Sequence, residues 1–345
     1  MRCPTLAELP PPPPGRTGWP WTEGGAPVGD PGPGGRWPSV TVVVPSFRQG
    51  AFLEETLRSI LLQGYPELEV LVMDGGSKDE TVDVIRRYEA WIAGWVSEPD
   101  SGQSAAINKG WRRSTGELVT WLNSDDLLLP GWAEQTAGLM AREPGIDAAY
   151  CDVQVIDTQS RPLWLYAGRA PTVEEIVLTW KTPFAQQGFL VRRSVIERCG
   201  YIDEALHFTM DTEYWLRLLV HGCRFQHTGG TLGAFRVHEA AKTTTHHAVH
   251  VANMLTVTTA FIERAPPEMA DLAQRARQRQ HWNAAHAKYD GRRHAEARAF
   301  ALRHLADNGW RALPRVSAMV GLSLLGGPGH RLLGLVRRIR AAASP

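Results

Sequence analysis

The 345-residue chain has only four cysteines, Cys3, Cys151, Cys199 and Cys223, scattered and without a CxxC pair. That excludes a disulfide-stapled scaffold and a cysteine zinc site, and a reducing, cytoplasmic setting is expected. No run approaches the roughly 20 apolar residues that span a bilayer. The N-terminus lacks a charged start followed by an apolar core, so no secretory signal is expected. Net charge is also nearly absent: 37 Lys and Arg against 36 Asp and Glu leave +1. A protein that tracks nucleic-acid phosphates carries a clear basic excess, so any anionic ligand here must be met locally. Neither GxGxxG nor a P-loop occurs, and Pro45-Ser46-Phe47-Arg48-Gln49 stands where a phosphate loop would follow the first strand. Dehydrogenase, kinase and nucleotidyltransferase readings fall with it. His246, His247 and His250 have no HExxH glutamate and no neighbouring cysteine, so a zinc site is not expected there.

What is present is an apolar share of 43% and a charged share of 21%, enough for one large α/β domain with additions, or two domains. Half of residues 1–38 are Pro or Gly, including the run Pro10 to Pro14, and this stretch is expected to be a disordered tail. Val40 to Val44 reads as a strand buried on both faces and ended by Pro45. Leu53, Leu57, Ile60 and Leu61 recur at helical spacing. Residues 68–73 read as a second strand, and Ser77 with Glu80 as a capping box for the following helix. Further strands are expected at 95–97, 117–122, 148–156 and 189–191, and further helices at 102–113, from about 194, and at 211–221. This alternation implies a mostly parallel central sheet flanked by helices. From about residue 255 the pattern is helical and rich in Arg and Ala. Leu332, Leu333, Leu335 and Val336 among Arg331, Arg337, Arg338 and Arg340 suit a membrane surface or a partner helix.

Ligands of such sheets gather at the carboxyl ends of the strands. Asp74 follows the second strand, Asp100 the third and Asp125-Asp126 the fourth. Four acids at one edge repel, and a divalent cation with a hydroxyl-bearing ligand would relieve that repulsion. Plainer readings stand beside this one: Asp74 as a turn residue, Asp100 as an N-cap, and Asp125-Asp126 as a solvated turn before Pro130.

Six segments come in a telling order: Val-Val-Val-Pro-Ser-Phe at 42–47, Met-Asp-Gly-Gly-Ser at 73–77, Glu-Pro-Asp-Ser-Gly-Gln at 98–103, Asn108-Lys109-Gly110, Leu-Asn-Ser-Asp-Asp at 122–126, and Met-Asp-Thr-Glu-Tyr-Trp-Leu-Arg-Leu at 210–218. Together they resemble the family-two inverting glycosyltransferases of GT-A (nucleotide-diphospho-sugar transferase) fold, over roughly residues 40–245. The resemblance implies transfer of a sugar, with inversion, from a nucleoside-diphosphate sugar to an acceptor hydroxyl. A UDP-sugar is the foremost donor, with Mn²⁺ or Mg²⁺ on the leaving diphosphate. It puts Pro45, Ser46, Asp74, Asp100, Gln103, Asn108, Lys109, Asn123, Asp125 and His238 at the nucleotide and donor. Asp125, Asp126 and His238 fall at the metal, and Asp211 is the general base.

Several of these positions stay open. Asn123 stands where many members have Asp, which lowers the site's charge by one. Lys109 meets phosphate or is simply solvated, and His238, in Arg236-Val237-His238, serves the metal, a phosphate or the loop. Glu213 neighbours Asp211 but points about 200° round the helix from it, and Asp211 also suits the helix dipole. Gln186-Gln187 would contact acceptor or donor. The implied organisation is a tail over 1–38, a GT-A domain over 39–254 and a helical C-terminal region over 255–345. Bacterial relatives of this shape build cell-surface polysaccharide or glycolipid. A saccharide or lipid-linked acceptor is therefore expected, with no nucleic-acid partner, and a cytoplasmic location with peripheral contact at the inner face of the membrane through the C-terminal helices. The alternative is a catalytically silent nucleotide-sugar-binding scaffold protein, favoured only by Asn123.

Overall fold

The computed structural model describes residues 3–26, 28–29, 35–238 and 247–325. The chain divides into two compact units, one of Met1–Thr172 with Thr182–Glu239, the other of Val173–Lys181 with Ala240–Pro345.

The first unit centres on β1 (Val40–Ser46), flanked in parallel by β2 (Leu68–Asp74) and β4 (Leu118–Trp121), with β3 (Gly94–Ser97) parallel to β2. Every residue of β1 is buried, as its β-branched run requires of a strand covered on both faces. The helices α1 (Gly50–Leu61), α2 (Thr81–Tyr88) and α3 (Gln103–Arg113) make the crossovers. Gly110 lets α3 lie directly on β1, since a Cβ there would stand 2.3 Å from Val43 Cγ1. The capping box expected at Ser77 does not form. Ser77 is spent on Asp74 and on the Arg48 N–H, and α2 begins at Thr81, whose N–H and hydroxyl donate to Asp79 Oδ1.

Beyond β4 the sheet changes character. It continues through β8 (Leu190–Arg192), β6 (Ala148–Ile156), β9 (Phe225–Arg236) and the two-residue β5 (Leu127–Leu128), and β7 (Pro162–Tyr166) pairs with β6. β8 is antiparallel to both β4 and β6, β7 to β6, and β5 to β9, whereas β6 and β9 are parallel. The expected mostly parallel sheet is thus a mixed one. The short turn between β6 and β7 forces reversal, as no crossover helix intervenes. Around this half lie α4 (Trp132–Arg142), α6 (Arg193–Cys199) and α7 (Met210–Val220).

The Pro/Gly-rich segment, expected to be a disordered tail, packs against this unit. Leu9 and Trp21 are buried, and Trp19 Nε1 donates to the Leu128 carbonyl at 2.9 Å. The anchor is Arg58 of α1, wholly buried, which donates to the carbonyls of Pro10, Pro20 and Trp21 and to the Tyr88 hydroxyl. A buried guanidinium has donors only, and a proline-rich chain has carbonyls whose own N–H partners are few. Each supplies what the other lacks.

The second unit holds α5 (Val173–Thr179), α8 (His247–Arg264), α9 (Ala270–Asp290), α10 (His294–Asn308) and α11 (Leu313–Leu325). Its core sets Ala285, Ala297 and Ala301 against Tyr289, Val316 and Met319. Among the described residues no helix is long and apolar enough to cross a membrane. The basic segment at 331–340, expected to meet a membrane or a partner, lies outside the described residues.

Candidate active site

The carboxyl ends of the parallel strands converge. Ser46 O accepts the Gly75 N–H at 2.8 Å, joining the loops after β1 and β2. A Cβ on Gly75 would stand 3.2 Å from Asp100 Oδ2 and 3.3 Å from the Phe47 ring, so the three loops meet closely at this glycine. Phe47 is 55% exposed, with the Arg48 guanidinium 5.0 Å from its ring centre, and neither was singled out from sequence. Pro45 and Ser46 lie buried at the end of β1, below this shelf.

Asp74 does not present its carboxylate to the opening. It accepts from the N–H groups of Gly76 and Ser77 and from the hydroxyls of Ser77 and Ser97, and is 1% exposed. These are the contacts of a turn residue, the plainer of the two readings of Asp74. Asp100 Oδ1 accepts the Gly102 N–H at the head of α3. The Asn108 amide donates to the Ile202 carbonyl and Glu204 and accepts the Ile202 N–H, fastening that loop to α3. Lys109 Nζ sits 2.7 Å from Glu98 Oε1, which pulls the Glu98 carboxyl below its ordinary range.

The turn between β4 and β5 separates its two acids. Asp126 is fully buried, accepting from Gln187 Nε2 at 2.6 Å, Asn123 Nδ2 at 2.9 Å and the Arg236 N–H at 2.9 Å. Burial, and then the Asp125 charge, push its carboxyl up to about 8. Asp126, expected as a metal ligand, is thus engaged by three protein donors. Asp125 faces the other way, its Oδ2 3.0 Å from His238 Nε2. Arg236, completely buried, holds both acids in place: its Nε donates to the Asp125 carbonyl and its Nη2 pairs with Glu55 of α1 at 3.0 Å. Asn123 joins two elements, accepting from Gln103 Nε2 at 2.5 Å while donating to Asp126. Gln186 Nε2 donates to the Trp121 carbonyl, so Gln186 and Gln187 both brace the site's wall.

The head of α7 docks beside the head of α3, where the Ser104 hydroxyl meets Met210 Sδ at 2.9 Å. Trp215, packed on Phe189 and Trp121 at ring separations of 4.1 and 5.8 Å, fixes the helix below. Asp211 Oδ1 accepts its neighbour's N–H, that of Thr212, at 2.7 Å. Glu213 is ion-paired to Arg217 through both carboxylate oxygens.

Residues 41–200 match the family described as Glycosyl transferase family 2. The chain carries a glycosyl transferase family 2 domain. An uncharacterized glycosyltransferase of Rickettsia typhi is 27% identical over 215 residues, 60% of this chain and 67% of that one. Among solved structures, S. aureus TarS superposes with a TM-score of 0.60 at 17% identity, over 84% of this chain and 53% of that one. A Pyrobaculum calidifontis mannosyltransferase in complex with GDP-Man and Mn²⁺ gives 0.56 at 22%, over 92% and 88%. At these identities the likeness is one of fold, and it is the GT-A fold. The chain spans about half the length of full TarS.

Among the described residues of the family 2 domain no group of three or more His, Cys, Asp or Glu is close enough to hold a metal by itself. The donor chemistry of Asp125 and His238 nevertheless fits a divalent ion that takes its remaining ligands from water and a diphosphate.

Proposed function

We propose that the family 2 domain moves a sugar from a nucleoside-diphosphate sugar to an acceptor hydroxyl with inversion. The observation that carries the reading is the Asp125–His238 pair at the sheet's carboxyl edge, linked through Arg236, Asn123 and Gln103 to the head of α3, beside which Asp211 stands. In this reading the shelf of Phe47, Gly75 and Asp100 receives the nucleoside, and Asp125 and His238 hold Mn²⁺ or Mg²⁺. That ion would supply charge neutralisation on the leaving diphosphate.

Asp211 takes the acceptor's proton while the acceptor oxygen bonds to the anomeric carbon from the face opposite the leaving group. The electrons of the breaking glycosidic bond go to the diphosphate, so one displacement inverts the centre without a covalent enzyme intermediate. The hydrogen bond from Thr212 N–H fixes the Asp211 carboxylate for that task. Asn123 fills a hydrogen-bonding role of its own, so it gives no ground for the silent-scaffold alternative. A saccharide or lipid-linked acceptor of cell-surface polymer synthesis suits the named relatives, which include a Bacillus subtilis protein named as a putative teichuronic acid biosynthesis glycosyltransferase, 36% identical over 92 residues, 26% of this chain and 36% of that one.

The first test is thermal unfolding with UDP, GDP, dTDP or CDP, each with and without Mn²⁺. A nucleotide at 100 times its Kd adds about 2.7 kcal/mol to the folded state. One nucleotide should stabilise in a metal-dependent way, and Asp125→Ala should abolish it. With the donor known, Asp211→Asn should keep that stabilisation and lower turnover by about 10²- to 10⁴-fold. No stabilisation by any of the four would overturn the donor-site reading.

A further inference from the structure

The helical unit contains a cavity of about 560 Å³, lined by no residue of the family 2 motifs but from α5, α9, α10 and the turn leading into α11. Its rim carries four arginines, Arg275, Arg279, Arg311 and Arg315. Arg275 is already matched, 2.7 Å from Glu174 and 3.0 Å from Asp271. Among the described residues no carboxylate pairs with the other three. The segment from 326 to 345 contains no Asp or Glu that could serve them either. Its inner wall is Trp282, packed edgewise on His286 and 5.3 Å from the ring of buried His304.

Guanidinium groups drawn round one concavity repel one another, and an anion is what relieves them. Phosphate matches best, because the planar fork of arginine donates two parallel hydrogen bonds to phosphate oxygens. Two of the arginines, Arg311 and Arg315, flank the start of α11, one on each side of Leu313 and Pro314. The volume exceeds that of a bare phosphate and suits one with a glycerol- or sugar-sized group attached, which the Trp282 wall would cover. Trp310, next in the chain to Arg311, is 84% exposed, as an indole at a lipid interface would be.

We infer that this cavity binds a phosphate-bearing group, the chemistry shared by a phospholipid headgroup and a soluble phosphate ester. The inference uses no residue of the donor site and stands or falls separately from it. Two probes tell the sources apart: glycerol phosphate, followed by titration calorimetry, and phosphatidylcholine vesicles with and without phosphatidylglycerol, followed by co-sedimentation. Each is offered to the full chain and to its Arg279→Ala/Arg315→Ala variant. Both side chains are exposed, so the fold should persist, and an unchanged unfolding temperature checks it. At least one probe should bind the parent chain, and the double variant should bind it about 100-fold more weakly, ten-fold for each charge-assisted contact. Binding of glycerol phosphate alone assigns the site to a soluble ester, and of phosphatidylglycerol vesicles alone to a lipid headgroup. No binding of either probe overturns the inference, as does equal binding by parent and variant.

Discussion

At the residue scale, the adjacent carboxylates Asp125 and Asp126 do different work. Asp126 takes hydrogen bonds from Asn123 of its own turn, from Gln187 and from the end of β9, and Asp125 meets His238. Asp126→Ala should therefore cost stability, about 2–4 kcal/mol by denaturant titration, because the donors of Gln187, Asn123 and Arg236 lose their acceptor. Asp125→Ala should leave the denaturation midpoint within about 0.5–1 kcal/mol of the parent while removing metal-dependent nucleotide binding. Equal losses in both variants would sink the distinction. Asn123 is the complementary case: its amide donates to Asp126 Oδ2, and an aspartate there would lose that N–H donor and set a second acid against a buried carboxyl whose proton affinity is already raised. In metal-free buffer Asn123→Asp should lower unfolding free energy by about 1–3 kcal/mol. The acids themselves were legible in the sequence as residues at strand ends. Which of two neighbours is buried was not, because that depends on Arg236 and Gln187, more than 60 residues away in the chain.

At the element scale, β1, β2 and β6 announce themselves because each is a mostly apolar run in a covered position, largely β-branched in β1. β9 hides because Thr228-Gly229-Gly230-Thr231 reads as a turn. The two glycines adopt φ of +87° and +73°, and the pairing with β6 slips in register on either side of Asp152. A bulge of this kind keeps the strand going where the pattern suggests an end. β5 is too short for a signal, and β7 is an exposed edge strand without alternation. Yet β9 delivers Arg236, whose buried pairing with Glu55 links it to α1. Glu55→Ala leaves that guanidinium uncompensated and should cost about 3–5 kcal/mol. It should also weaken metal-dependent nucleotide stabilisation, since Arg236 steadies the Asp125 carbonyl. A variant that unfolds normally would show the pair to be dispensable.

At the scale of the whole molecule, composition misjudged the N-terminal segment. Proline and glycine do fail to build a core of their own, but this stretch borrows one, and the borrowing depends on a single guanidinium in α1 that helical periodicity gave no reason to notice. Removing residues 1–38 takes three acceptors from buried Arg58 and should lower the unfolding temperature by about 10 °C, on a cost of 3–5 kcal/mol for an unsatisfied buried charge. An unchanged transition would mean that water replaces the carbonyls.

The helical unit, too, is not one continuous stretch of chain. Its α5 is drawn from residues 173–179, and α9 holds it there: Asn283 donates to the Leu178 carbonyl and Arg275 pairs with Glu174. Exchange of this region between related genes by one crossover would bring in the long helices and leave behind the short one they were shaped against. Two recombination points, or matched changes on both sides, are needed before the unit can travel, so the nine-residue insert ties the inheritance of the helical unit to that of the domain that encloses it.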